Sequence, residues 1–213
     1  MKYSAVIFDL DGVICFTDEF HYKAWKEVAL KLDIPFDRTI NNRLRGVSRM
    51  ESLEIILENY KGTSLSQDQK NELAEEKNNI YRSYLTTMTP ADLSEQNRKA
   101  LETLKSRNTR LAIGSSSKNT PIILKQIGLE NFFDAISDGN NISHSKPDPE
   151  VFLKAAEMLG IDPKECLVVE DALAGVEAGK AAGMMVACVG DASEKNAGDY
   201  NFKDLSEILE LVH

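Results

Sequence analysis

Asp9 and Asp11 stand two residues apart, directly after the apolar run Ala5-Val6-Ile7-Phe8 and directly before Gly12. Side chains two apart on a strand share a face, so both carboxylates leave the strand end on one side. Gly12 then lets the chain turn away. Open parallel sheets bind ligands just beyond the carboxyl ends of their strands. An acid pair at such a place can hold a hard cation, attack a phosphoryl group or shuttle a proton. An acidic turn without chemistry would be spelled the same way. The weight of the DxDG therefore rests on what the chain sets beside it.

Three further groups follow strand-like runs. Gly114-Ser115-Ser116-Ser117-Lys118-Asn119 opens a helix, where successive N–H groups and hydroxyls form an anion site; a plain serine N-cap is the simpler alternative. Lys146-Pro147-Asp148-Pro149 holds a lysine on an extended pre-proline segment, with Asp148 placed to cap the next helix and Pro149 at its first position. A solvated loop lysine is the simpler reading there. Glu170-Asp171 ends Leu167-Val168-Val169 and is a second acidic pair at a strand end. Like charges so placed need a cation or hydrogen bonds to offset them. Asp9, Asp11, Glu170 and Asp171 offer oxygen and no histidine or thiolate, a donor set that selects Mg²⁺.

The elements that must position these groups are legible in the pattern. A strand is expected over 3–8. The segment 17–88 reads as wholly helical: a stripe Trp25, Val28, Leu32 stopped by Ile34-Pro35, a stripe Leu53, Ile56, Leu57, Tyr60 ended at Lys61-Gly62, and a third from Ser66 through Leu73, Ile80 and Tyr84. Beyond Thr89-Pro90 helices and strands alternate. Helices are expected over 98–107, 119–127, 150–159, 173–182 and 205–211, with strands over 111–113, 135–137, 167–169 and 185–189. Alternation of this kind means a doubly wound parallel α/β sheet. Its expected division is a core of 1–16 and 89–213 with a helical cap domain of 17–88 inserted through two adjacent connections.

The bulk properties narrow the function. The 213 residues carry a net charge of −9 and are 42% hydrophobic. That length suits one α/β core with a small insert. The acidity argues against nucleic acid or an anionic membrane as partner. The N-terminal apolar run is too short for a secretory signal and is cut by Asp9. Cys15, Cys166 and Cys188 are odd in number, widely spaced and free of CxxC, so they read as buried thiols of a cytoplasmic protein. Nothing demands more than a monomer.

DxDG, a serine-rich strand end, Lys-Pro and an acidic pair, in that order along the whole chain, resemble the haloacid dehalogenase superfamily of phosphotransferases. The resemblance implies a Rossmann-like core. It implies Asp9 as a nucleophile that becomes an aspartyl phosphate, Asp11 as general acid/base, Ser115 and Lys146 on the phosphoryl group, and a Mg²⁺ site of Asp9, Asp11 (through its backbone carbonyl), Glu170 and Asp171. Such roles suit phosphoryl transfer, which needs alignment and charge neutralisation above all.

The insert sharpens the likeness. His21 lies four residues before Trp25 and shares its helical face, where a core histidine is the plain alternative. Arg43-Leu44-Arg45-Gly46-Val47-Ser48-Arg49 is a basic loop entering a helix, and Lys77 falls on an apolar face where lysines usually snorkel. With Thr17, Lys77-Asn78 and Ser115 through Asn119 these residues resemble the β-phosphoglucomutase family. That resemblance implies interconversion of β-D-glucose 1-phosphate and β-D-glucose 6-phosphate through β-D-glucose 1,6-bisphosphate. It implies Arg49 on the distal phosphate, and His21 and Lys77 orienting the sugar or Asp11. Thr17, Gly46, Val47, Ser48, Ser116, Ser117, Lys118 and Asn119 complete the implied binding set. Two positions depart from the family: Phe16 replaces an acid, and Leu93-Ser94-Glu95-Gln96-Asn97 replaces a Pro-Gly turn. A sugar-phosphate phosphatase of the same superfamily and a non-catalytic sugar-phosphate sensor are the alternatives. A thiol enzyme built on Cys15 lacks a partner nearby in sequence.

Overall fold

A computed structural model describes residues 3–212. Six parallel strands form one sheet in the order β3-β2-β1-β4-β5-β6. They are β1 (Ala5–Phe8), β2 (Arg110–Gly114), β3 (Ala135–Ser137), β4 (Cys166–Glu170), β5 (Met185–Cys188) and β6 (Tyr200–Asn201). The chain winds outward from β1 in one direction and then in the other. The order reverses between β1 and β4, and there the carboxyl ends of two neighbouring strands open a crevice. Asp9 and Glu170 emerge at that crevice. Phe8 pairs with Val169 in register, and Asp9 N–H donates to Val169 O at 2.9 Å.

Nine α-helices accompany the sheet: α1 (Asp18–Lys31), α2 (Arg38–Asn42), α3 (Arg49–Leu57), α4 (Gln67–Leu85), α5 (Glu95–Ser106), α6 (Thr120–Gln126), α7 (Glu150–Leu159), α8 (Leu173–Ala181) and α9 (Gly190–Glu194), counted among the described residues. Central strands buried on both faces read as unbroken apolar runs. Val6 and Phe8 pack with Leu101, Leu104 and Ile123 on one face, while Ala5 and Ile7 pack with Val151 and Phe152 on the other. The helices from α1 to α4 hold a third cluster of their own around Trp25, Val28, Leu53 and Ile56.

Several boundaries differ from the sequence pattern. Strand pairing starts at Ala5, not Tyr3. Strand β6 and helices α2 and α9 carry too few residues for a period to show. The stretch Leu205–Glu210 is a 3₁₀ helix, not an α-helix, with Asp204 and Glu207 forming its capping box. Helix α5 begins three residues early because Ser94 Oγ accepts from Asn97 N–H at 3.1 Å. Asn97 Nδ2 in turn donates to Val13 O and Ile14 O, both at 3.1 Å. The segment that departs from the family's turn thus anchors the loop after Asp11. Among the described residues no helix is long and apolar enough to cross a membrane.

Candidate active site

Lys146 is the cation at the bottom of the crevice. It is fully buried, and its Nζ lies 2.5 Å from Asp9 Oδ1 and 2.6 Å from Glu170 Oε1. The ring of Phe152 lies 4.8 Å away on another side. Burial works against the charged amine, but the two carboxylates overcome it and raise the lysine's pKa. Lys146 therefore stays an ammonium. The solvated-lysine alternative does not hold for this residue.

Glu170 is fixed at both oxygens. Its Oε2 accepts from Asp171 N–H at 2.9 Å and Ala172 N–H at 3.0 Å, as anions do at a helix start. A Cβ on Gly175 would come within 1.8 Å of Glu170 Oε1, and a Cβ on Gly12 (φ +93°) within 2.2 Å of Asp171 Oδ2. Only glycine lets the two backbones approach the acids this closely.

Carboxylate oxygens of Asp9, Glu170 and Asp171 lie within 4.8 Å of one another. Burial pushes the Asp9 carboxyl well above the usual carboxylate range; Lys146 opposes this, while Glu170, Asp171 and Asp11 add to it. Burial and then the Glu170 charge push Asp171 to about 7. One buried ammonium among three buried carboxylates, with only the Arg45 guanidinium 3.5 Å from Asp171 and shared with Asp191 beside it, leaves a deficit of positive charge. An all-oxygen donor set with that deficit fits a hard divalent cation such as Mg²⁺.

Asp11 points elsewhere. Its Oδ1 accepts from Thr17 Oγ1, whose oxygen accepts from Tyr81 OH at 3.1 Å. Burial raises the Asp11 pKa, and the Thr17 bond, Lys146 and Lys77 oppose the rise. Cys15 is buried and its thiol is pushed well up by burial and by Asp11 and Asp9. It stays protonated and is a poor nucleophile.

The helical segment supplies the roof. Lys77 lies 3% exposed on α4, so it does not snorkel to solvent. Its Nζ is 2.8 Å from His21 Nδ1, over the rings of Trp25 at 5.0 Å and Tyr81 at 4.6 Å. Burial pushes Lys77 down to about 7, with Arg49 adding to the fall. Burial and then Lys77 also lower His21, so the imidazole is neutral. Arg49 Nη1 lies 3.1 Å from Glu75 Oε2. Ser48 caps α3 in a capping box with Glu51.

Polar contacts join roof to floor. Ser116 Oγ donates to Gly46 O at 3.2 Å, and Asn119 Nδ2 donates to Asn78 Oδ1 at 2.9 Å. Arg45 pairs with Asp191, lies 3.5 Å from Asp171 Oδ2 and 3.6 Å from Asp18 Oδ1.

Between roof and floor lies a cavity of about 760 Å³, ample for a sugar phosphate. Asp9, Asp11, His21, Gly46, Val47, Ser48, Arg49, Lys77, Ser115, Ser116, Ser117, Lys118, Asn119, Glu170 and Asp171 all line it. Of the expected site residues, Thr17 and Lys146 do not. Thr17 lies buried behind Asp11, and Lys146 lies behind Asp9 and Glu170. The sequence reading passed over Glu75, Tyr81 and Asp191. Tyr81 carried a signal, since it stands one helical turn after Lys77 on α4.

Comparison with known proteins agrees with this geometry. The family model for haloacid dehalogenase-like hydrolases matches residues 3–183. A β-phosphoglucomutase of Bacillus subtilis is 43% identical over 98% of this chain and 93% of its own length. A phosphorylated-carbohydrates phosphatase of Thermotoga maritima is 32% identical over 84% of this chain and 82% of its own. The crystal structure of β-phosphoglucomutase from Clostridium difficile superimposes with a TM-score of 0.91 at 38% identity, covering 97% of this chain and 93% of that one. With an aspartate-lysine pair at the sheet's switch point, an acidic pair one strand over and a match to the family model along most of its length, the chain belongs to the haloacid dehalogenase-like hydrolase family.

Proposed function

We propose that this chain is a Mg²⁺-dependent phosphomutase that interconverts β-D-glucose 1-phosphate and β-D-glucose 6-phosphate through β-D-glucose 1,6-bisphosphate. One observation supports the reading: a single cavity is lined by Asp9 from the floor and by Arg49 from the roof, so one bisphosphate can address both groups at once. The identity of 43% to a β-phosphoglucomutase along nearly the whole chain supports the same reading.

Asp9 is the nucleophile. Lys146 orients its carboxylate and neutralises charge as phosphate approaches. Asp9, Glu170, Asp171 and the Asp11 carbonyl would hold Mg²⁺, which would supply Lewis-acid screening of the phosphoryl oxygens. An Asp9 oxygen bonds to phosphorus as the P–O bond to the sugar breaks, and Asp11 gives the departing sugar oxygen its proton. In the reverse transfer Asp11 takes the proton from the sugar hydroxyl that attacks the aspartyl phosphate. Ser115 and its neighbours through Asn119 hold the phosphoryl oxygens. Arg49 grips the phosphate that is not being transferred, and the neutral imidazole of His21, bonded to Lys77, orients the sugar. Thr17 positions Asp11. The bisphosphate turns end for end between transfers, and roof closure keeps water from the aspartyl phosphate.

We place the domain boundaries between residues 16 and 17 and between 88 and 89, with hinges near Cys15–Thr17 and Met88–Ala91, and take the working form as a cytoplasmic monomer. The deciding assay supplies the α and β anomers of glucose 1-phosphate separately, each with a trace of bisphosphate and Mg²⁺. Glucose 6-phosphate from the β anomer is expected. Free phosphate in its place would assign the chain to the phosphatases. Arg49→Ala is expected to lose most mutase turnover; full turnover in that variant would remove the role of Arg49.

A further inference from the structure

Arg49 already has a partner. Its Nη1 lies 3.1 Å from Glu75 Oε2, and the Glu75 side chain is 60% exposed where that of Arg49 is 25% exposed. Glu75 also lines the cavity. The carboxylate thus reaches the guanidinium from the solvent side, on a side chain free to swing away. Carboxylate and phosphate seek the same N–H fork. A phosphate arriving at Arg49 must displace Glu75 or sit beside a like charge.

We propose that Glu75 is a positioning residue that competes with the distal phosphate for Arg49. It keeps the guanidinium placed on the roof of the cavity and loosens its grip once sugar phosphate is bound. The assignment rests on the role given to Arg49 above. A mutase gains from such loosening. Its bisphosphate must release the distal grip in order to turn over, and a grip shared equally by ground and transition states lowers KM without raising kcat. Glu76, the next residue, pairs with Lys31 and does not line the cavity, so it serves as the control for net charge.

The test is steady-state mutase kinetics with β-glucose 1-phosphate at saturating bisphosphate and Mg²⁺. Glu75→Gln should lower KM about two- to fivefold, the scale of an exposed ion pair, with no rise in kcat. Glu76→Gln should leave KM unchanged, and Glu75→Gln added to Arg49→Ala should change KM no further. Three results would overturn the proposal: an unchanged or raised KM in Glu75→Gln, an equal fall in Glu76→Gln, or a fall that survives in the Arg49→Ala background. Loss of turnover in Arg49→Ala alongside any of these leaves the phosphate grip intact and removes only the competitor. Full turnover in Arg49→Ala removes both.

Discussion

Thr17 Oγ1 donates to the Asp11 carboxylate. The same hydroxyl accepts from Tyr81 OH on α4 at 3.1 Å, so a three-membered chain links the roof to Asp11, the proposed acid/base. The direction that Asp11 faces depends on where α4 sits. Tyr81→Phe deletes one donor and leaves the ring packed against His21, whose centroid is 4.0 Å away. A neutral hydrogen bond contributes about 1 kcal/mol, so kcat should fall about fivefold with KM little changed and the melting temperature close to that of the parent. An unchanged kcat would mean that Tyr81 does not steer Asp11.

Removing the central cation has a larger effect. Without Lys146, Asp9 and Glu170 face each other unpaired in a site where burial already opposes their charge. Breaking one member of a buried charge group costs about 3–5 kcal/mol. Lys146→Met should lose stability on that scale in urea unfolding, and adding Glu170→Gln should return part of it. If the double variant is no steadier than the single, the loss comes from packing and not from charge. Asp9→Asn, by contrast, should fold well and fail to turn over.

The acidic cluster predicts a linkage between Mg²⁺ and folding. A cation that binds only the folded chain stabilises it by about 2.7 kcal/mol at a hundred times its dissociation constant. Mg²⁺ should therefore raise the melting temperature, and EDTA should reverse the rise. Asp171→Asn removes one proposed ligand, a carboxylate that burial and the Glu170 charge already push to about 7. Without metal that variant should melt no lower than the parent, and Mg²⁺ should shift it little. A full Mg²⁺ shift in the variant would place the ion elsewhere.

Most of the floor was legible because strand ends and turns write their chemistry locally. Asp9-Asp11-Gly12, Ser115-Lys118 and Glu170-Asp171 each sit at a place that a short apolar run already marks. Lys146 was harder: nothing within its own loop says that Asp9, just past a strand far away in sequence, will draw it inside. The roof was legible in residue type but not in partnership. Lys77 falls on an apolar face in the pattern, and only packing against Trp25, Tyr81 and His21 shows that it is sealed in. Arg45 reaches Asp191 across the two halves of the molecule, a contact no local period encodes. The short β6 and α9 stayed hidden because two and five residues cannot display a repeat.

Lys77 gives the molecule a pH signature. Its ordinary pKa of 10.5 is pushed down to about 7 by burial and by Arg49. Below pH 7 the lysine carries its proton both folded and unfolded, and the full burial penalty applies. Between about 7 and 10.5 the unfolded chain holds the proton and the folded chain has released it. Stability rises with pH wherever the unfolded state binds more protons, by at most about 1.4 kcal/mol per pH unit for one group. The parent should therefore gain on Lys77→Met as pH climbs through that window, and the gap between them should be flat below it. His21 Nδ1 loses a partner in the variant at every pH, which offsets both limbs without changing the slope. Urea unfolding of both proteins at pH 6, 8 and 9.5 measures the difference. A gap that stays constant across the three would mean that the buried amine does not release its proton on folding.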